Sequence, residues 1–268
     1  MRRLAAALAM ALIALSGCAI LDSGYHDSSD LWNLTDATAP SAGPAVLPAL
    51  AAGHRVCSYD RPGTLRYGDT SSITDRSSPV PMPRTAGDVV DDLHALLAAS
   101  GEPGPYVLVA HSMGGLFARL YAQRHPDQVR ALLFVDAFPG ELPAMMGALW
   151  PAYRTVLSSP VPQFAGNPNF EEIDVDASVA QIAAAPPFPA IPIAVPTKTE
   201  RFPLPPDGPD GISSTLERAW PQSALKLVAL RPQTPQTIAN GSDHYIQVHQ
   251  PDLVVATTEL LLHRTPGG

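Results

Sequence analysis

The stretch Tyr106-Val-Leu-Val-Ala-His-Ser-Met-Gly-Gly115 constrains this chain more than any other. Tyr106 to Ala110 is a continuous apolar run, the pattern of a central parallel strand buried on both faces. After it Leu116, Phe117, Leu120 and Tyr121 recur at helical spacing, and Val129 to Val135 is apolar again. Strand, helix and strand in succession require a parallel pair with a crossover helix. Ser112 stands at the junction of the first strand and the helix, with Ala110 two residues before and Gly114 two residues after. A serine between small residues on a tight strand-to-helix turn is the nucleophile-elbow pattern, with alanine in place of its first glycine. The turn presents the hydroxyl at the carboxyl end of the sheet, and the helix behind it aims its positive dipole end at developing negative charge. An ordinary turn with a serine helix cap is the plainer alternative.

The rest of the chain continues the alternation. A short strand is expected over His54 to Asp60, then a Ser-, Thr- and Pro-rich loop over 64 to 83. Val89, Val90, Leu93, Leu96 and Leu97 predict an amphipathic helix over Thr85 to Ser100, closed at Gly101. Further strands are expected over Ile191 to Val195, ahead of Pro196, and over Gln236 to Ala239. Thr215 to Leu230 reads as a helix broken at Trp220-Pro221, and Pro251 to His263 as a closing helix that starts on proline. This alternation predicts an α/β fold, a mostly parallel sheet covered on both faces, with its ligand site at the carboxyl ends of the strands.

Composition narrows the function. The net charge is −8 with no cluster of Lys and Arg, which argues against nucleic acid as a partner. Two cysteines make neither a disulfide framework nor a zinc pattern, and Cys57, on a strand, reads as a small buried residue. Residues 1 to 18 have the form of an export signal, with Arg2-Arg3, an apolar run from Leu4 to Leu15, and small Ser16-Gly17 before Cys18.

The segments "VCSYDRPG", "YVLVAHSMGGLFARLYAQRHPDQVRALLFVDA" and "GSDHYIQVHQPDLV" resemble the α/β-hydrolase family, and the likeness spans most of residues 20 to 263. It implies a Ser-acid-His triad in that chain order, with Ser112 as nucleophile and His244, in Gly-Ser-Asp-His, as the base. His249 is the nearest rival among eight histidines. For the acid, Asp136 closes the strand after the nucleophile, a position some members use, and Glu200, Asp207 and Asp210 are later alternatives. The resemblance assigns the oxyanion to the backbone N–H groups of Met113 and Tyr25, the latter on the loop after a strand beginning near Ala19. The first two strands of the family have no room before residue 19, leaving about six. Leu-Ser-Gly-Cys resembles a bacterial lipobox, with Cys18 as the lipidated residue and export to the cell envelope as the destination.

The expected organisation is a signal over 1–18, core over 19–139, a cap or lid over 140–190, and core again over 191–268. Met145, Met146, Trp150, Tyr153, Phe164 and Phe170 supply apolar material for the cap, as lining or as packing. The resemblance implies ester hydrolysis without metal or organic cofactor, and the apolar cap suits small, partly apolar carboxylic esters better than a polymer. Amide, thioester or C–C hydrolysis with the same residues, or an inactive binding relative, are the alternatives.

Overall fold

The computed structural model describes residues 18–23, 46–59, 61, 65–67, 73–75, 80–158, 171–202 and 211–264. Six strands form one sheet: β1 Cys18–Ser23, β2 Arg55–Ser58, β5 Tyr106–His111, β6 Val129–Val135, β7 Ile193–Lys198 and β8 Gln236–Ala239. Their order is β2-β1-β5-β6-β7-β8, and every pair is parallel. The expected loop over 64 to 83 contains a small antiparallel pair instead, β3 Leu65–Tyr67 and β4 Ile73–Asp75. A pair this short offers no run of alternating residues from which to read it.

The helices are α1 Val46–Ala51, α2 Ala86–Ser100, α3 Gly114–Arg124, α4 Leu142–Met146, α5 Trp150–Ser158, α6 Val175–Ala184, α7 Ile212–Val228, α8 Ile246–His249 and α9 Pro251–Arg264. Side chains alternate across the sheet with period two. Leu108, Ala110, Leu132, Phe134, Ile193 and Val195 face the layer of α2 to α7. Val107, Val109, Ala131, Leu133, Val135 and Ala194 face Val46, Leu50, Ile246, Val254 and Leu261 of α1, α8 and α9. Both faces are covered, which is why β5 and β6 read as unbroken apolar runs.

Local chemistry sets the ends of α2. Thr85 and Asp88 form a reciprocal capping box at its start. At its end Gly101 has φ 69°, a left-handed position that glycine adopts without a Cβ penalty. Two expectations are corrected. Strand β7 runs on through Pro196 to Lys198, because the proline is used there through its carbonyl, which accepts from the Asp136 N–H at 2.8 Å. Helix α7 is continuous through Pro221 rather than broken. The lost N–H costs one helical hydrogen bond, and burial of Leu216, Ala219, Trp220, Ala224 and Leu227 on one side outweighs it. Cys57 is half-buried against the core rather than enclosed by it.

Within the stretch 140–190, Met146, Trp150 and Tyr153 are buried in the same cluster as the sheet face, so they serve packing. Phe164 and Phe170 lie outside the described residues. The later part of the stretch is stitched to the core. The Ala86 N–H donates to Ser178 Oγ at 2.9 Å, the Gly87 N–H to Gln181 Oε1 at 2.7 Å, and Gln123 Nε2 to the Pro186 carbonyl at 2.7 Å. Arg61 makes a two-pronged ion pair with Glu171 at 2.8 and 2.5 Å, and Arg84 pairs backbone with Ile173. Among the described residues no helix is long and apolar enough to cross a membrane.

Candidate active site

Strands β5 and β6 end side by side, and their ends carry Ser112 and Asp136. Both residues have positive φ, 53° and 37°, which is uncommon outside glycine. Three hydrogen bonds hold the turns: Ser112 N–H to the Val135 carbonyl at 3.3 Å, Phe138 N–H to the Ser112 carbonyl at 2.7 Å, and Asp136 N–H to the Pro196 carbonyl. Helix α3 follows Ser112 so closely that a Cβ on Gly115 would stand 2.6 Å from the Ala137 Cβ. The second glycine of the motif is therefore set by this approach of helix to strand end.

His244 comes from the segment between β8 and α8. Its Nε2 lies 2.8 Å from Ser112 Oγ and its Nδ1 2.7 Å from Asp136 Oδ2. The three side chains are thus joined in series. A carboxylate only accepts, so Nδ1 carries the proton donated to Asp136, and Nε2 offers its lone pair to the serine hydroxyl. The Asp136 side chain is fully enclosed and the His244 ring 12% exposed, while Ser112 is half-buried. Asp136 Oδ1 accepts two more hydrogen bonds, from Trp220 Nε1 at 2.9 Å and from the Lys198 backbone N–H at 3.2 Å. Neither donor was apparent from the sequence. One is a backbone amide, and the other lies on a helix far along the chain, so only the tertiary fold brings them to the carboxylate.

His111, just before the serine, was another residue the motif did not reveal. It is buried, its Nε2–H donates to the His244 carbonyl at 2.8 Å, and the two rings lie 4.4 Å apart. Burial, then the neighbouring His244, hold the His111 imidazole well below the ordinary histidine range, so it stays neutral.

The remaining expectations fall out as follows. Glu200 is exposed and its carboxylate accepts from the Thr199 hydroxyl at 3.3 Å. His249 pairs with Asp243 at 3.1 Å. Asp207, Asp210 and Tyr25 lie outside the described residues. Strand β1 runs toward the same end of the sheet, with Ser23 level with His111. Met113 occupies the cap position of α3, where the first N–H groups of a helix have no acceptor inside it. Among the described residues no three His, Cys, Asp or Glu side chains are grouped as a metal site needs.

A family model of the alpha/beta hydrolase fold matches residues 27–173. The chain belongs to the alpha/beta hydrolase fold family. It is similar to an uncharacterized protein of Schizosaccharomyces pombe, 39% identical over 92 residues, which make up 34% of this chain and 15% of that protein. An uncharacterized vacuolar membrane protein of Saccharomyces cerevisiae is 33% identical over 89 residues, 33% of this chain and 12% of its own length. The chain thus spans a small part of these yeast relatives. Among solved structures, a candidate lipase from Acinetobacter baumannii AYE superposes with TM-score 0.60 at 15% identity, covering 94% of this chain and 86% of that one. A thermophilic esterase from Thermogutta terrifontis superposes with TM-score 0.56 at 17% identity, covering 95% and 92%. At such identities these likenesses establish the alpha/beta hydrolase fold alone.

Proposed function

We propose that this alpha/beta hydrolase cleaves carboxylic esters of small, partly apolar substrates through a serine acyl-enzyme. The observation that carries the reading is the unbroken series Ser112 Oγ, His244, Asp136 at 2.8 and 2.7 Å, with the right nitrogen facing each partner. His244 Nε2 takes the proton as Ser112 Oγ attacks the ester carbonyl carbon. The resulting oxyanion is assigned to the N–H groups of Met113 and Tyr25, assisted by the positive end of α3. The imidazolium then returns its proton to the departing alkoxide, leaving an acyl-serine and a free alcohol. Water, deprotonated by the same Nε2, attacks the acyl carbon, and collapse releases the acid and restores the serine. Asp136 stays ionised throughout, holding the Nδ1–H tautomer and offsetting the imidazolium charge. Phe202, with its ring 5.0 Å from that of His244, supports an apolar substrate part. The same residues serve amides or thioesters, and ester chemistry is preferred for that apolar setting.

A serine-reactive fluorophosphonate tests the reading. Wild-type protein becomes labelled on Ser112, and Ser112→Ala and His244→Ala do not. A folded wild type that takes no label overturns it. Asp136→Asn is expected to slow labelling by about 10³ to 10⁴, whereas Glu200→Gln leaves it unchanged.

Export, with lipid on Cys18, is a separate part of the proposal. It rests on the arginine pair, apolar run and Leu-Ser-Gly-Cys of residues 2 to 18. Cys18 begins β1, so the anchor would leave from the amino end of the sheet, opposite Ser112. Intact mass after bacterial expression decides. A chain starting at lipid-modified Cys18 supports it, and a chain starting elsewhere sinks it.

A further inference from the structure

We infer that Trp220 is a positioning residue for the hydrolytic site, acting through Asp136 on the proton affinity of His244. The inference rests on the reading of Ser112, His244 and Asp136 as the reacting set. Asp136 is a carboxylate with no exposed surface, and such a group is stable as an anion only when each oxygen is met by donors. His244 meets Oδ2. On Oδ1 the shorter bond is the indole N–H of Trp220, at 2.9 Å against 3.2 Å for the Lys198 amide. Lys198 meets Oδ1 through its backbone N–H, while its ammonium is turned to Glu217 at 3.0 Å and to the Glu200 carbonyl at 2.6 Å.

The indole is itself fixed. Its ring meets Phe138, Phe202 and His244 edge-on, with centroids at 6.0, 4.9 and 5.6 Å. Trp220 therefore touches both partners of the Asp136–His244 pair, one through a hydrogen bond and one through its ring edge. Two donors on Oδ1 stop the carboxylate turning about its axis, which keeps Oδ2 aimed at Nδ1. They also spread the negative charge, which limits how strongly the pair holds the proton that His244 must surrender to the leaving alkoxide. A buried tryptophan with a satisfied N–H is commonly a packing residue alone. Packing also bears on a histidine through desolvation, and the His244 ring faces His111 and Tyr245 as well, at 4.4 and 5.5 Å, so what separates the two roles is whether an N–H donor restored at position 220 restores the behaviour of His244.

Trp220→Phe keeps most of the ring and removes the N–H. The less neutralised carboxylate then attracts the imidazolium more strongly, so the NMR titration of His244 moves to higher pH. The acidic limb of kcat/KM moves the same way, and kcat falls roughly ten-fold, the scale of one charge-assisted hydrogen bond, with KM little changed. Trp220→His can place its Nε2–H where the indole Nε1–H lay, and is expected to bring the titration back toward wild type. An unchanged His244 titration in folded Trp220→Phe overturns the inference, as does a histidine variant no different from phenylalanine. The NMR arm needs no turnover. A wild type that takes no fluorophosphonate label refutes the hydrolase reading, while the titration still decides whether the indole governs the pair. Should Trp220→Phe fail to fold, the indole N–H resonance of the native tryptophan serves instead. It must move in Asp136→Ala, and a resonance that stays put overturns the inference.

Discussion

Gly115→Ala is the substitution whose consequence the structure sets most sharply. The added methyl would stand 2.6 Å from the Ala137 Cβ and 3.4 Å from the Phe138 backbone nitrogen and oxygen. Carbon atoms rest about 3.5–4.0 Å apart, so helix and strand end must separate by about 1 Å. Neither side is free to yield. The Gly115 N–H is bonded to the Ser112 carbonyl at 3.0 Å, and the Phe138 N–H to the same oxygen at 2.7 Å. Overpacking of this kind costs about 1–3 kcal/mol, and alanine returns at most about 1 kcal/mol in helix propensity. The net is a loss of at most about 3 kcal/mol, and about 2 kcal/mol where the full propensity gain is realised against the upper cost, which is roughly 4–8 °C in Tm for a domain of this size. Activity should suffer more, because the wedge enters between the elements that carry Ser112 and Asp136, and about 1 Å of misplacement costs on the order of 100-fold in rate. The assay is the rate of fluorophosphonate labelling at Ser112 beside thermal unfolding. Ala137→Gly removes the opposing methyl, so the double variant should regain at least about ten-fold of the lost rate, a coupling that independent sites would not show. Labelling of Gly115→Ala at the wild-type rate, or a double variant no better than the single one, would refute the reasoning.

Three further outcomes follow from other contacts. His111→Leu removes the donor to the His244 carbonyl and should slow labelling by about ten-fold, the worth of one buried hydrogen bond left unmade; His111→Gln, whose amide reaches the same oxygen, should recover most of it. His111 also shapes stability against pH. Its folded-state proton affinity is lowered, so below about 6.5 the unfolded chain binds the extra proton and the native chain does not. Stability is then full above that pH and falls on acidification, by up to about 1.4 kcal/mol per pH unit for this group; chemical denaturation from pH 7.5 to 5 should show a shallower fall in His111→Gln. Glu171→Gln removes the carboxylate that meets the buried Arg61 guanidinium at 2.8 and 2.5 Å. It should cost about 1.5–3 kcal/mol in denaturant unfolding, the scale of hydrogen bonds to a charged group, and an unchanged midpoint would show that this ion pair does not hold residues 171–174.

The sequence is most legible where one strong local signal decides. Val129 to Val135 and Gln236 to Ala239 are strands with the expected ends, since apolar runs bounded by turn residues leave little choice. Proline is a poor guide at Pro196 and Pro221, because its local penalty is one hydrogen bond while burial acts on the whole element. The serine turn is readable because its strained geometry demands small residues on either side of Ser112, whereas His244 is picked out by the resemblance of its Gly-Ser-Asp-His segment to the family. Asp136 was readable only as one carboxylate among several, since its selection depends on β6 ending beside β5. Trp220 and His111 carry no such signature. Their roles come from a donor reaching an acceptor across the fold, and nothing local in the chain distinguishes them from core residues.

The placement of Asp136 at the end of β6 has a structural logic of its own. Ser112 and Asp136 close adjacent parallel strands, and both are held at positive φ. Conformations of this kind cost about 1–3 kcal/mol each and persist only where the surroundings over-determine them. Here the two turns secure each other. Ser112 donates to the last residue of β6, Phe138 donates back to Ser112, and Asp136 donates onward to β7. One seam across three strands therefore sets the distance between Ser112 and Asp136. Only His244 is carried on an irregular segment, and its backbone carbonyl is tied to the same seam by His111. The imidazole of His244 is thereby held between Ser112 and Asp136, at 2.8 and 2.7 Å, the arrangement that the proposed proton exchange requires.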